Sequence, residues 1–464
     1  MTGLPMPSIR SWRVSPGRPF VSPLRVPRLA SIGVCIAIAL VCSWSPAHAV
    51  PSFARQTGMQ CNACHTAYPA LTAFGREFKL NSYSFTGGNP DLPPIAALVQ
   101  PSFTHTAKSQ PGLAPHFADN DNPAIQQASI FYGGTIYDRL GAFAQVTYDG
   151  IGRRFAIDNT DIRFSRQTDI AGTDFVYGLT LNNNPTVQDL WNTTPAWGFP
   201  YASNDLVPGP AASTLIDGGL AQQVAGLGGY ARWNKLVYFE VTGYRTLPRD
   251  GQTALGVSPE GEDQIDGYAP YWRVALQQSW GNNYLSGGTF GLIANTFPGR
   301  DSTAGSDQRL DFGLDAQYEY SADKHNLAVY LRWIREHADW SAGNQLGNTD
   351  NPRDKLNSFN ATASYLYDQT YGADLNFFDL TGDTDATLYG SRTGKPDTRS
   401  VSLQLDYLPF NRNGGPSFWP TFNPKLIARY TWFTKFDGSS SDYDGTGRKA
   451  SDNNTLYAMM WLPF

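Results

Sequence analysis

Residues 310–320 read Leu310-Asp311-Phe312-Gly313-Leu314-Asp315-Ala316-Gln317-Tyr318-Glu319-Tyr320, an unbroken alternation. One face would carry Leu, Phe, Leu, Ala, Tyr and Tyr, and the other is acidic. A period of two is the signature of a β-strand with unlike faces. Val401, Leu403, Leu405 and Tyr407 alternate in the same way with Ser402, Gln404 and Asp406, and Leu426, Ala428, Tyr430 and Trp432 flank Arg429 and Thr431. From Ile95 to the end, this period persists. A soluble sandwich turns such apolar faces inward, whereas a membrane barrel turns them to lipid and keeps a wet lumen. Periodicity alone does not choose between them.

Three further features favour the barrel. Segments of about 10 to 15 residues suit a tilted crossing of a bilayer better than a sandwich. Connections alternate in length: those at 138–140, 168–171, 233–235, 280–283, 322–324 and 368–370 are tight, whereas 184–222, 247–265, 338–356, 381–397 and 437–452 are long and rich in Gly, Asp and Asn. Short periplasmic turns and long external loops give that alternation, and aromatic pairs near segment ends, such as Tyr318 with Tyr320 and Trp432 with Phe433, suit interfacial girdles. Finally, Leu456, Ala458, Met460, Leu462 and Phe464 share one face of a last strand ending on Phe, which resembles the assembly signal of bacterial outer-membrane barrels.

The expected fold is therefore all-β, a transmembrane antiparallel barrel of about sixteen strands near 95–106, 125–137, 141–149, 153–167, 172–183, 222–232, 236–246, 267–280, 283–296, 308–320, 325–337, 357–367, 372–380, 398–409, 422–436 and 453–464. An even count puts both termini on one side, the periplasm, and every long loop outside the cell. A ring of this size encloses a lumen wide enough for water or a small plug.

The first 49 residues read as a secretory signal. Arg10, Arg13, Arg18, Arg25 and Arg28 carry its charge, Leu29 to Val41 is apolar, and Ala47-His48-Ala49 offers a small-x-small cleavage site. Removing five of the 35 basic residues leaves 30 against 40 acidic ones, so the exported chain is strongly acidic. That argues against nucleic acid and suits cations or cationic partners. Beyond the signal, no uncharged apolar run approaches the length of a membrane helix.

Cys35 and Cys42 leave with the signal, so the exported chain keeps only Cys61 and Cys64. They stand in Cys61-Asn62-Ala63-Cys64-His65, the C-x-x-C-H attachment motif of a c-type haem. Two thiols so spaced can each form a thioether, with His65 placed as the proximal iron ligand. A structural zinc or a disulfide is the alternative, but zinc would need two further ligands from elsewhere. After the motif, Leu71, Phe74, Phe78 and Leu80 predict a short helix within 66–85. The division is thus signal 1–49, monohaem module 50–90 and barrel 91–464. The module is too small to wrap a haem, so the lumen is where it would find shelter. For the distal ligand the chain offers Met59, Met459, Met460, His105, His116, His325 and His337. His105, about forty residues past the motif, is the foremost candidate, and an iron with another ligand or none stays open.

Pro51-Ser52-Phe53-Ala54-Arg55-Gln56-Thr57-Gly58, the C-x-x-C-H motif, and Phe74-Gly75-Arg76-Glu77-Phe78-Lys79-Leu80-Asn81 together resemble the fused monohaem cytochrome-porins of bacterial outer membranes. The close resemblance covers about 30 residues, and the barrel shares only length, strand count and terminal Phe. It implies one covalently attached haem c held by Cys61, Cys64 and His65, outer-membrane lipid around the wall, an extracellular donor such as Fe(II), and a soluble periplasmic cytochrome as acceptor. The leading expectation is an electron conduit; a porin-type channel with a haem-bearing plug or redox gate is the alternative, and a soluble periplasmic haem enzyme the third reading. Acidic loop residues Glu260, Glu262, Asp263 and Asp266, and Asp437, Asp442 and Asp444, could concentrate cations at the outer mouth, or merely solvate their loops.

Overall fold

Alternation over more than a dozen successive residues leaves each strand with one apolar and one polar edge, and closing the sheet satisfies every backbone group without an exposed border. The computed structural model describes residues 52–88, 93–419 and 422–464. The expected signal segment lies outside these. The described strands are β1 (Ile95–Thr106), β2 (Asn122–Tyr137), β3 (Leu140–Asp149), β4 (Arg154–Ile170), β5 (Thr173–Asn182), β6 (Val224–Trp233), β7 (Val237–Thr246) and β8 (Ala269–Trp280). They continue with β9 (Asn283–Phe297), β10 (Asp307–Ser321), β11 (His325–Asp339), β12 (Arg353–Tyr367), β13 (Tyr371–Gly382), β14 (Thr398–Tyr407), β15 (Lys425–Lys435) and β16 (Thr455–Pro463). A two-residue piece, Gln264–Ile265, pairs with the end of β9 outside the ring.

Each strand runs antiparallel to its neighbour in sequence, and β16 returns to β1 with Val99 opposite Leu462 and Phe103 opposite Ala458. The ring is a closed barrel of sixteen strands, and every expected segment is met by a strand whose ends lie within four residues of it. Two of the tight turns are three-residue hairpin loops, 234–236 between paired Trp233 and Val237 and 368–370 between paired Tyr367 and Tyr371, with left-handed backbone at the first two positions: Asn234 and Lys235 (φ 52° and 54°), and Asp368 and Gln369 (52° and 52°). Such turns follow the twist of the strands they join.

The quoted strand is oriented as its alternation requires. Phe312 and Leu314 of β10 are exposed at 40% and 46%, whereas Asp311, Asp315 and Gln317 are buried inside the barrel. Leu331, Leu375, Leu405 and Met460 continue the outer apolar surface on other strands. Tyr137, Trp233, Trp280, Tyr320, Tyr367 and Tyr371 are exposed at the strand ends beside the short turns, and with Tyr407, on the same rim before the 408–424 connection, they form one aromatic girdle. A continuous apolar outside, a girdle and a charged inside are the arrangement of a membrane-spanning barrel. No helix among the described residues is long and apolar enough to cross a membrane, which says nothing about strands.

The 183–223 connection departs from the expectation that long loops lie outside. It folds into the lumen, where Leu190, Trp191, Leu215, Ile216 and Leu220 are buried. Trp191 packs on Tyr238 of β7 and donates to the Tyr284 hydroxyl of β9; Tyr457 of β16 donates to Ser203 O, and Asn360 of β12 to Phe199 O. The loop thus crosses from one wall to the other. Its apolar side chains are covered there by lumen tyrosines that an external loop would not meet.

Candidate functional site

The N-terminal segment is the second insert. Its helices are α1 (Ser52–Thr57), α2 (Cys61–Cys64) and α3 (Ala73–Leu80). Room for α1 is made by Gly133 and Gly134 of β2, where an added Cβ would come within 2.9 Å of Ser52 Oγ and 2.8 Å of Gln56 Oε1. Gln56 then ties the segment together, donating to Tyr83 O (2.6 Å) and Phe85 O (2.8 Å) and accepting from Thr135 N of β2 (2.9 Å).

The predicted helix after the motif is shorter than its apolar spacing suggested. Residues 66–72 fold back on the motif, with Thr66 N donating to Ala70 O and Thr72 N to Cys64 O, so helical structure starts only at Ala73. Thr72 caps α3, its Oγ1 accepting from Gly75 N (3.1 Å) while also donating to Ala63 O (2.6 Å). Gly75 is required here: a Cβ would fall 2.2 Å from Cys64 O. Left-handed backbone at Ser82 and Tyr83 turns the chain away after Leu80. The Phe-Gly-Arg run thus holds the C-x-x-C-H turn by backbone contact.

At the motif, Cys61 and Cys64 are free thiols, half-buried, and His65 follows with its Nδ1 3.3 Å from Pro69 O. An Nδ1–H donated to that carbonyl fixes the tautomer and leaves Nε2 with its lone pair open, as a metal-bound imidazole needs. Desolvation holds the imidazole below its ordinary pKa, against the raising effect of the Pro69 and Ala70 backbone, so the neutral, ligating form is favoured. Burial, then the neighbouring Cys61, push the Cys64 thiol up to about 12. Protonated thiols beside an open imidazole suit vinyl addition better than zinc, which binds thiolate. Among the described residues no group of three or more His, Cys, Asp or Glu is placed to hold a metal ion. Next to the motif, Met59 and Phe85 are exposed at 43% and 39%, and Phe74 stacks on Phe85 with centroids 5.8 Å apart. The donor set, the imidazole orientation and this open apolar surface fit a covalently attached haem.

Charged side chains fasten the module to the wall. Arg76 is 5% exposed, makes a two-pronged bond to Glu319 of β10 (2.7 and 2.9 Å), and lies 3.9 Å over the Tyr284 ring. Glu77 pairs with Arg232 of β6, and Tyr83 donates to Asp161 of β4 (2.7 Å). Asn62 donates to Gln369 in the turn after β12 (2.8 Å), and Ser82 Oγ to Arg139 O after β2 (2.6 Å), which places the module at the short-turn end. Asn411, in the long 408–424 connection on that same rim, donates to Thr66 O (3.0 Å). The two inserts also meet: Lys79 Nζ donates to Val187 O (2.7 Å) and Leu71 N to Asn192 Oδ1 (3.0 Å). Of these docking charges, Glu319 reads from the sequence only as one of the lumen-facing acids with Asp311 and Asp315, and Arg76, Glu77 and Lys79 stand in the run that carries the family resemblance; their pairing has no signal beyond that charged triplet inside an otherwise apolar helix.

The structure brings Cys61, Cys64 and His65 together and does not bring His105 to them. His105 stands near the far end of β1, ten residues or about 33 Å of strand beyond Ile95, with Nδ1 2.7 Å from Asp121 Oδ1. His116 lies in the 107–121 loop, His325 bonds to Tyr365 Oη (2.7 Å), and His337 accepts from Arg335 on the outer face (3.0 Å). Met459 is buried against Tyr457, Met460 faces outward, and Met59 sits beside the motif. At the opposite mouth the acidic loop residues remain spread out, and a cavity of about 430 Å³ lies between 210–213, Asp217, Ser358, Phe378 and Leu380.

No protein-family model and no curated protein matches the chain. Among solved structures, the chain is similar to a loop-deletion mutant of OmpT, an outer membrane protein of Vibrio cholerae (11% identity, 80% of this chain and 98% of that one, TM-score 0.41). It is similar also to OmpF of Salmonella typhi, solved with daunomycin (12%, 80% and 97%, 0.42), and to OccK2 of Pseudomonas aeruginosa (13%, 80% and 97%, 0.37).

Proposed function

We propose that the chain is a bacterial outer-membrane barrel that carries one c-type haem in its lumen, at the periplasmic mouth, and passes electrons from an extracellular donor, Fe(II) by the family resemblance, to a soluble periplasmic cytochrome. The observation that carries this reading is the motif itself: two half-buried free thiols and an imidazole whose Nδ1 lies 3.3 Å from Pro69 O, beside an exposed apolar surface at the short-turn end. Cys61 and Cys64 would anchor the haem and His65 would ligate its iron. A haem so held supplies reversible one-electron storage. Gly75, Thr72 and Pro69 orient the motif, and the Arg76, Glu77 and Lys79 contacts keep it fixed against the wall. Both termini then lie in the periplasm, with lipid covering the outer face.

A porin-type channel with a haem-bearing plug is the second reading, favoured by the sixteen-strand ring and the 430 Å³ vestibule at the outer mouth. The same preparation separates the two. Full-length protein, exported with haem-attachment machinery and purified in detergent, is mixed with Fe(II) while the haem bands are followed, then placed in planar bilayers. Haem reduction with little conductance supports the conduit; stable solute conductance with no reduction by any one-electron donor supports the channel. Protein found soluble in the periplasm would refute both.

A further inference from the structure

Just inside the motif, the loop after His65 covers a small cavity of about 30 Å³ whose lining mixes apolar residues such as Leu327 and Leu366 with the charged Glu319, Asp374, Asp406 and Lys425. That is room for one or two waters. Its charges do not balance. Glu319 is paired with Arg76, and Asp406 with Lys425 at 2.7 Å. Asp374, 5% exposed, makes no ion pair of its own among the described residues, and Lys425 acts on it only as a charge already bound to Asp406; it accepts from Ser364 Oγ and from Gln404 Nε2 (3.1 Å). The same Gln404 amide donates to Asp406 Oδ1 (3.0 Å), so two carboxyl groups share one donor and one lysine. The other titratable or charged groups facing this site are Tyr201 of the inner loop, Tyr330 of β11, Tyr365 of β12, and Arg76 behind Glu319.

The cluster is connected to the motif through backbone and ring. Lys425 Nζ donates to Tyr68 O (3.3 Å), and the Tyr68 ring stands edge-on to the His65 ring at 6.3 Å between centroids. Asp374 itself touches neither His65 nor the cysteines. An added negative charge at an iron held by His65 would therefore be felt by a buried carboxylate that shares its lysine with Asp406, across a low-dielectric gap. A proton removes that conflict more cheaply than any rearrangement of the wall.

We propose that Asp374, with Asp406 and Lys425 beside it, is a redox-linked proton acceptor for the haem. This rests on the haem reading above. One electron from an outside one-electron reductant takes the iron from ferric to ferrous, and one proton from water converts the Asp374 carboxylate to the carboxylic acid; oxidation reverses both. No bond other than that O–H forms or breaks.

The test uses full-length, haem-loaded protein in detergent. An alkaline pyridine spectrum first reports whether haem is attached, and its absence would sink the haem reading before this one is reached. Spectropotentiometric titration from about pH 5 to 9 is then expected to give a midpoint that falls as pH rises, by up to about 59 mV per tenfold change in proton activity. In Asp374→Asn the slope should shrink markedly. A pH-independent midpoint, or an unchanged slope in folded D374N, overturns the proposal. Redox-difference infrared spectra of the unsubstituted protein decide independently of whether that variant folds. A carboxylic C=O band that appears on reduction and shifts in deuterated water supports it, and no such band overturns it.

Discussion

The tightest test of module docking is Glu319→Ala. Its carboxylate holds the Arg76 guanidinium by two bonds of 2.7 and 2.9 Å, and both side chains are largely buried, at 6% and 14% exposure. Removing one partner of a buried pair strands the other charge, at a cost of roughly 3–5 kcal/mol. Arg76 would keep its bond to Leu71 O and its position over Tyr284, so the lower end, about 3 kcal/mol, is expected. That is roughly a hundredfold shift in the undocking equilibrium. Backbone amide exchange at Arg76 to Leu80, measured by mass spectrometry on detergent-solubilised protein, should accelerate by about that factor. Asp339→Ala provides the contrast. Its partner Arg353 is 79% exposed, and surface pairs contribute at most about 1 kcal/mol, so module exchange should hardly change. If α3 exchanges no faster in folded E319A than in the unsubstituted protein, the idea that lumen ion pairs hold the module is wrong.

On the lipid face, Leu314→Arg should destabilise the barrel by about 2–4 kcal/mol in liposome unfolding titrations, because Leu314 is exposed in the middle of β10; no loss would mean that this face does not meet lipid. Asp437, beyond β15, accepts from Ala211 N of the inner loop (3.0 Å), and burial pushes its carboxyl up to about 6. A raised folded pKa means that the stabilising contribution is full below the unfolded value and is lost as pH rises through about 6. Exchange at the Ala211 amide should therefore gain extra acceleration across that window, and Asp437→Asn should abolish the excess. Lys79 behaves in the opposite sense: burial, then Arg163, push its amine down to about 7, so the charged form penalises docking most below that value. Docking should firm as pH climbs from about 7 toward 10, and Lys79→Met should flatten the profile. Equal pH profiles for the variant and the unsubstituted protein would contradict this.

Much of the wall was legible because the two solvents a barrel meets write themselves on alternate residues. Lipid demands Phe312 and Leu314, and the lumen demands Asp311, Asp315 and Gln317, one residue out of phase. A slip of one residue would expose every charge to lipid, so register and strand ends follow from the pattern. The tight turns were equally local, since a three-residue loop with two left-handed positions suffices to close a hairpin.

The inserted loop obeys no such local rule. Residues 183–223 contain the Gly, Asn, Asp and Pro of an external loop, and what draws them inward is a match with distant strands. Arg273 of β8 stands between Asp189 of the loop (3.3 Å) and Asp315 of β10 (2.7 Å), while Leu215 N and Ile216 N donate to Glu336 (2.8 Å) and Asp311 (2.6 Å). The acidic edge of β10, read from the sequence as a generic wet lumen, is thus largely consumed in holding the two inserts. That changes what the lumen can do. Asp311, Asp315 and Glu319 are occupied by loop amides, Arg273 and Arg76, so they are not a free path for passing cations. Among the buried lumen carboxylates that stand outside these pairs are Glu240 of β7, which accepts from Tyr238 and Thr242, and Asp374 of β13, which lines the cavity under the loop that follows His65.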